Sequence, residues 1–145
     1  MALLWLTLAA LALSYWEAAT VTALRRALQI PDGASNILVL GRLSGRLLYI
    51  EQGRELCSLL ALVLLSGLAA ESSRHAAVLF GWSFALRNLA YYGWLRAFVG
   101  YPRSLIVLDV FCLLPRPWIG PVWLPLLLST LIAGGCGSAL LLGAM

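Results

Sequence analysis

The sequence predicts an all-α fold: a polytopic membrane four-helix bundle with a short re-entrant or interfacial helix before the last span, forming one transmembrane domain over residues 1–145. Three observations lead there. The 145-residue chain is 62% hydrophobic and 11% charged, whereas a soluble domain has about 45–50% and about 25%. Its mean hydropathy is +0.93. Its apolar residues gather into four runs close to the length of about 20 residues that crosses a bilayer at about 1.5 Å per residue.

The first run, residues 2–24, resembles a secretory signal in position, but it has no basic residues at its start and exceeds the apolar core of about 7–15 residues that a signal carries. It is expected to be a permanent helix. The loop that follows holds Pro31-Asp-Gly33, a turn signal, then Ile37-Leu-Val-Leu40 with Arg42 and Arg46, which suggests a helix lying at the interface and running into the second span, 47–70. A tight loop with Arg74 and His75 leads to the third span, 76–95. Residues 104–114 form an 11-residue apolar stretch between Pro102 and Pro115, too short to cross and bounded by prolines, hence the re-entrant or interfacial helix. The fourth span is 118–142.

Arginine placement orients the bundle. The formal charge of +4 comes from ten basic residues, all arginine. Arg25, Arg26, Arg42 and Arg46 lie between spans one and two, and Arg96, Arg103 and Arg116 between spans three and four; only Arg74 falls in the second loop. Cytoplasmic loops hold the excess of basic residues, so both termini are expected on the periplasmic or exterior side. Trp16, Tyr49, Trp94, Trp118 and Trp123 fall near span ends, where amphipathic rings favour the headgroup region. The arginines form no single basic stripe, which argues against nucleic acid as a partner. Cys57, Cys112 and Cys136 are odd in number and scattered through apolar surroundings, and with a single His they complete no zinc set. They read as buried packing residues.

Small residues spaced by four allow helices to approach closely in lipid. Ala77, Gly81 and Ala85 form such a face on span three, and Ser129, Ala133 and Gly137 on span four, with Gly134 and Ser138 beside them. Asn88 and Tyr92 continue the span-three stripe and turn inward.

Ionisable groups at membrane depth are costly and usually functional. Counted at about 1.5 Å per residue, Glu51, Glu17 and Tyr91 lie about 6–10 Å from the cytoplasmic end of their spans, and Glu55 and Arg87 about 12–16 Å. Glu51 and Glu55 share a face at i and i+4, with Arg54 on its border. Arg87 sits too deep to reach water and requires a carboxylate, expected from Glu17 or Glu55. Asp109 joins the layer if its segment folds back into the cytoplasmic mouth.

Glu17-Ala-Ala, Arg54-Glu55, Tyr91-Tyr92, Pro102-Arg-Ser104-Leu, and Asp109 followed by Leu114-Pro-Arg-Pro-Trp-Ile-Gly-Pro-Val122 together resemble a group of small four-span bacterial integral membrane proteins with no assigned reaction. The likeness covers most of the chain. It implies a four-span protein of the bacterial inner membrane and draws attention to Glu17, Glu55 and Asp109. It also implies an acidic residue where this chain has Asn88 and an aromatic where it has Arg87, so the charge of the central layer differs here.

Three functions compete. In the first, a membrane enzyme or ion-handling protein uses Glu17, Glu55 and Asp109 as proton carriers or catalytic carboxylates, or Glu17, Glu51, Glu55 and Asp109 as ligands for a divalent cation of the Mg, Ca or Mn type, with Arg54, Arg87, Asn88, Tyr91 and Tyr92 as ion-pair or substrate contacts. The Glu-x-x-His pairs of a di-iron bundle are missing. In the second, the chain is a noncatalytic subunit that packs against other membrane proteins or a second copy of itself. In the third, Arg54, Arg87, Arg103 and Arg116 hold an anionic lipid or isoprenoid phosphate, since arginine forks suit phosphate. Membrane lipid is a partner in every case.

Overall fold

A computed structural model describes residues 1–143; the last two residues of the expected domain, Ala144 and Met145, lie outside the described residues. Helix α1 spans Ala2–Ala27, the short α2 Asn36–Arg42, α3 Gly45–Ala69, α4 Ser73–Val99 and α5 Trp123–Leu142; strands β1 (Leu108–Cys112) and β2 (Trp118–Pro121) lie between α4 and α5. Three helices, α1, α3 and α5, are long and apolar enough to cross a membrane. The fourth expected span falls on α4, which interrupts its apolar residues with Arg74, His75, Arg87, Asn88 and Arg96.

Each helix starts and stops for local reasons. Ser35, Ser44 and Ser72 cap α2, α3 and α4, their hydroxyls accepting from the backbone N–H of Ile37, Leu47 and His75. Arg25 and Arg26 occupy the last turn of α1, where positive charge suits the helix dipole. Gly100 ends α4 in the left-handed conformation, φ 67°. The expected continuous run from the interfacial helix into the second span is broken: Leu43 and Ser44 are extended, so α2 and α3 are separate helices.

Packing goes through narrow stripes of small residues. Ala10, Ser14 and Ala18 of α1, Ser58, Leu62 and Ser66 of α3, and Leu79, Ser83 and Ala85 of α4 are buried at helical spacing. Some of the buried hydroxyls are satisfied locally, Ser14 donating to Leu11 O at 2.7 Å and Thr22 to Ala18 O at 2.8 Å, whereas Ser66 Oγ meets no partner among the described residues. α4 is the hub and packs against α1, α3 and α5. On α5 only Ser129 is buried, so that helix is peripheral. Where α4 meets α5, a Cβ on Gly81 would come 2.7 Å from Cys136 Sγ, and one on Gly137 2.9 Å from the Trp82 ring, in keeping with the expected small-residue contact. Gly134 and Ser138 are exposed, however, and Ala77 is too, so neither stripe is inward along its full length. Trp16, Tyr49, Trp94, Trp118 and Trp123 are all exposed.

The segment expected to be a re-entrant or interfacial helix is instead a β-hairpin. β1 and β2 pair antiparallel, with Asp109 opposite Gly120 and an irregularity between Val110 and Cys112. The stretch is rich in Val, Ile and Phe, residues that suit a pleated surface. The turn carries Pro115 and Pro117, which cannot donate to a helical ladder. Gly120 is fixed by the Phe111 ring, 2.6 Å from where its Cβ would stand. The helix expected over 118–142, α5, accordingly begins at Trp123, since residues 118–121 belong to β2.

The hairpin, α2 and the preceding loop cover one end of the bundle. Gly33, at φ 75°, donates its N–H to Val99 O at 2.7 Å, with the Arg103 side chain packed directly over it; a side chain on residue 33 has neither the conformation nor the space. Ser35 and Tyr101 hydroxyls both donate to Leu108 O, at 2.7 and 3.0 Å.

Candidate functional site: an ionic layer on a side-opening cavity

Helical spacing on α1 buries positions 10, 14, 17, 18, 22 and 25, and that stripe carries Glu17 into the bundle. Opposite, Arg87 of α4 closes on Glu17 as a bidentate pair, Nε to Oε2 and Nη2 to Oε1, both 2.8 Å. Of the two partners the sequence allowed for Arg87, Glu17 is the one it meets. Ser58 of α3 donates to Glu17 Oε1 at 2.6 Å, and Arg54 Nη1 stands 3.7 Å from the same oxygen. Arg54 is held in turn by Glu51, Nε and Nη2 both reaching Oε2 at 3.0 and 2.9 Å. Three helices thus contribute to one layer. A charge-assisted, two-pronged pair of this kind is the arrangement that compensates two buried charges.

Arg87 Nη1 makes a long contact of 3.4 Å to Asn88 Oδ1, and Asn88 Nδ2 another of 3.4 Å to Ser129 Oγ, tying the layer to α5. Arg87 also lies over the Phe84 ring and Arg54 over Trp16, both 5.8 Å from the ring centre. Tyr91 and Tyr92 pack edge to face, centroids 5.3 Å apart.

Glu55 sits apart from the pairs. Its Oε2 accepts the Leu113 N–H at 2.8 Å while Gln52 donates to Leu113 O at 2.9 Å, so α3 grips the end of β1 with two side chains. Asp109 is farther still. It is fully buried, accepts from the Tyr92 hydroxyl at 2.7 Å through Oδ2, and leaves Oδ1 without a partner. Asp109 does not line the cavity described below, unlike its neighbours Val110 and Phe111; it stands outside the carboxylate layer at the mouth, held by the Tyr92 hydroxyl.

The cavity, about 460 Å³, runs along α4 between α3 and α5 and is closed at one end by α2 and the hairpin. Glu17, Glu51, Arg54, Glu55 and Arg87 form its charged floor, with Asn88, Tyr91 and Tyr92 beside them. Its walls are apolar. Leu128 and Ile132 of α5 line it and are also exposed, 50% and 38%, so the cavity opens sideways where the bundle surface is hydrocarbon-like.

Among the described residues no group of three or more His, Cys, Asp or Glu side chains could hold a metal ion. The divalent-cation set of Glu17, Glu51, Glu55 and Asp109 therefore does not assemble: Arg87 occupies both oxygens of Glu17, Arg54 takes one from Glu51, a backbone N–H takes one from Glu55, and Asp109 is elsewhere. Burial pushes the Cys112 thiol up to about 11, with Glu55 adding to the effect, so it stays a thiol at neutral pH. Cys112 and Cys136 are half-buried, but Cys57 is exposed on α3, which corrects the reading of all three as buried. His75 is half-buried in the first turn of α4.

Two functional-looking positions escape the sequence reading. Ser58 follows Glu51 by seven residues and so shares its helix face, a signal that was there to be read. Arg25, 1% exposed, donates to Asn36 Oδ1 at 2.7 Å, Ala34 O at 2.8 Å and Pro31 O at 3.0 Å, and lies 5.5 Å from the Tyr101 ring centre; next to Arg26, it looks like an ordinary loop charge. No family model, curated protein or solved structure matches this chain.

Proposed function

We propose that this is a four-span protein of the bacterial inner membrane, both termini outside the cytoplasm, that takes an amphipathic lipid into the cavity between α3 and α5. The polar head rests on the layer built from Glu17, Glu51, Arg54, Glu55 and Arg87, and the tail follows α5 back into the bilayer. α4 is the fourth span in this reading. Its 27 residues extend about 40 Å at about 1.5 Å each, and the charge at its centre is compensated by Glu17. The observation that carries the proposal is the cavity's polarity: charged at its floor, apolar on its walls, and open sideways past Leu128 and Ile132.

Native mass spectrometry of the full chain in mild detergent tests it. Wild type should retain lipid through purification, and Leu128→Trp, which fills the opening, should lose most of it while keeping its helical circular dichroism. Wild type free of lipid rejects the reading. For orientation, a reporter active only outside the cytoplasm should work when fused to either terminus, and silence at one end rejects the topology.

A further inference from the structure

Resting on that reading, the charge of the cavity floor narrows the headgroup. The charged side chains lining the cavity are three carboxylates, Glu17, Glu51 and Glu55, and two guanidiniums, Arg54 and Arg87. Glu17 is consumed by Arg87, Ser58 and the flank of Arg54. Glu51 gives a single oxygen, Oε2, to Arg54, and among the described residues its Oε1 meets no donor. Glu55 gives Oε2 to Leu113, and its other oxygen meets no N–H or O–H donor, only the Cys112 thiol lying near that carboxylate. These two acceptors stand one helical turn apart on one face of α3. They await a positive group that carries hydrogens.

The arginines keep one arm each in reserve. Arg54 Nη1 is 3.7 Å from its carboxylate, beyond hydrogen-bond distance, and Arg87 Nη1 makes only the 3.4 Å contact to Asn88. One donor from each guanidinium is therefore available to phosphate oxygens. A purely anionic head would satisfy these two arms and place its charge beside a floor already one unit negative. A head carrying phosphate and ammonium together satisfies both halves.

We infer that the cavity takes a phospholipid with a primary-ammonium headgroup, its phosphate on Arg54 and Arg87 and its ammonium on Glu51 and Glu55. The bilayer is the source, because the opening lies between apolar helix faces.

The test is competition on the full-length protein in mild detergent, offered equal amounts of phosphatidylethanolamine, phosphatidylcholine, phosphatidylglycerol and cardiolipin and read by native mass spectrometry. Phosphatidylethanolamine should be retained about tenfold over each of the others. Glu55→Gln keeps an amide oxygen for Leu113 but loses the charge, and should cut that preference to less than about threefold; Glu51→Gln serves as the second variant, with circular dichroism and elution profile confirming the fold of each. Equal or stronger retention of phosphatidylglycerol or cardiolipin overturns the headgroup assignment and leaves lipid uptake standing. Phosphatidylcholine bound as well as phosphatidylethanolamine overturns it too, since choline has no N–H. A preference unchanged in both variants overturns the role of α3. Failure of wild type to retain any of the four removes the lipid-uptake reading itself.

Discussion

Arg87 and Arg25 are both buried arginines, 8% and 1% exposed, but they are held in different ways. Arg87, midway along α4, meets a carboxylate through two parallel hydrogen bonds. Arg25, at the end of α1, meets only neutral oxygens: two backbone carbonyls, an amide and an aromatic face. Asp109 is buried in the same cap, with Asn36 and Tyr101 close to it, and still keeps one oxygen unpartnered. In the middle of the bundle charge is cancelled by charge. In the cap, carbonyl and amide oxygens hold both Nη groups of Arg25, and among the described residues its Nε meets no partner. The two regions should therefore respond differently to the loss of one charge.

The largest effect should come from Glu17→Gln, which strands Arg87 in the bundle. Breaking a buried pair from one side costs about 3–5 kcal/mol, read as a lower midpoint of thermal or denaturant unfolding in detergent. Glu17→Gln combined with Arg87→Gln should recover part of that loss. A double variant no better than Glu17→Gln alone would mean that the pair is not what compensates Arg87.

Arg25→Lys keeps the charge but loses the fork that reaches three oxygens at once. The expected loss is about 2–3 kcal/mol, from hydrogen bonds to a charged group left unmade. Unchanged stability in the same unfolding assay would show that position of charge, not planar geometry, organises the cap.

Ser58→Ala removes one donor from Glu17 and leaves the arginine pair in place. A loss of about 1–1.5 kcal/mol is expected. A loss as large as that of Glu17→Gln would make the hydroxyl, and not the guanidinium, the main partner.

A last comparison distinguishes the regions by pH. Burial raises the Asp109 carboxyl above its ordinary 3.8, against hydrogen bonds from Tyr92 and the Val110 backbone that pull it down. A carboxyl held above its unfolded value contributes stability that is fully present below about 3.8 and is lost as pH rises through the folded value. Asp109→Asn has no such loss, so its stability relative to wild type should rise as pH goes from about 4 to about 8. A difference between the two proteins that stays constant over that range sinks the assignment.

How much of this could be read in advance depended on distance along the chain. The long helices follow from apolar length, and the inward turn of Asn88 and Tyr92 from spacing on α4. That Arg87 needs a carboxylate follows from depth alone; that Glu17 supplies it does not, because helix length allows Glu55 equally well. Glu55 is engaged by the Leu113 N–H in a hairpin that the sequence disguises. Residues 104–114 are short and apolar, a pattern that helix and strand share, and the enrichment in Ile106, Val107, Val110 and Phe111 was the discriminating signal. Arg25 was illegible for another reason. Its partners lie in irregular backbone at positions 31, 34 and 36, and no periodicity places carbonyls.

The cap also bears on how the protein is made. Ser35 reaches Leu108, Gly33 reaches Val99, and Arg103 reaches Asp32, so these three contacts of the loop after α1 can form only when the ribosome has added some seventy further residues. Until then Arg25 and Asn36 have no Tyr101 or Asp109 beside them, and one end of the bundle is unroofed. The roof is thus built from contacts far apart in the chain, and no single helix carries it.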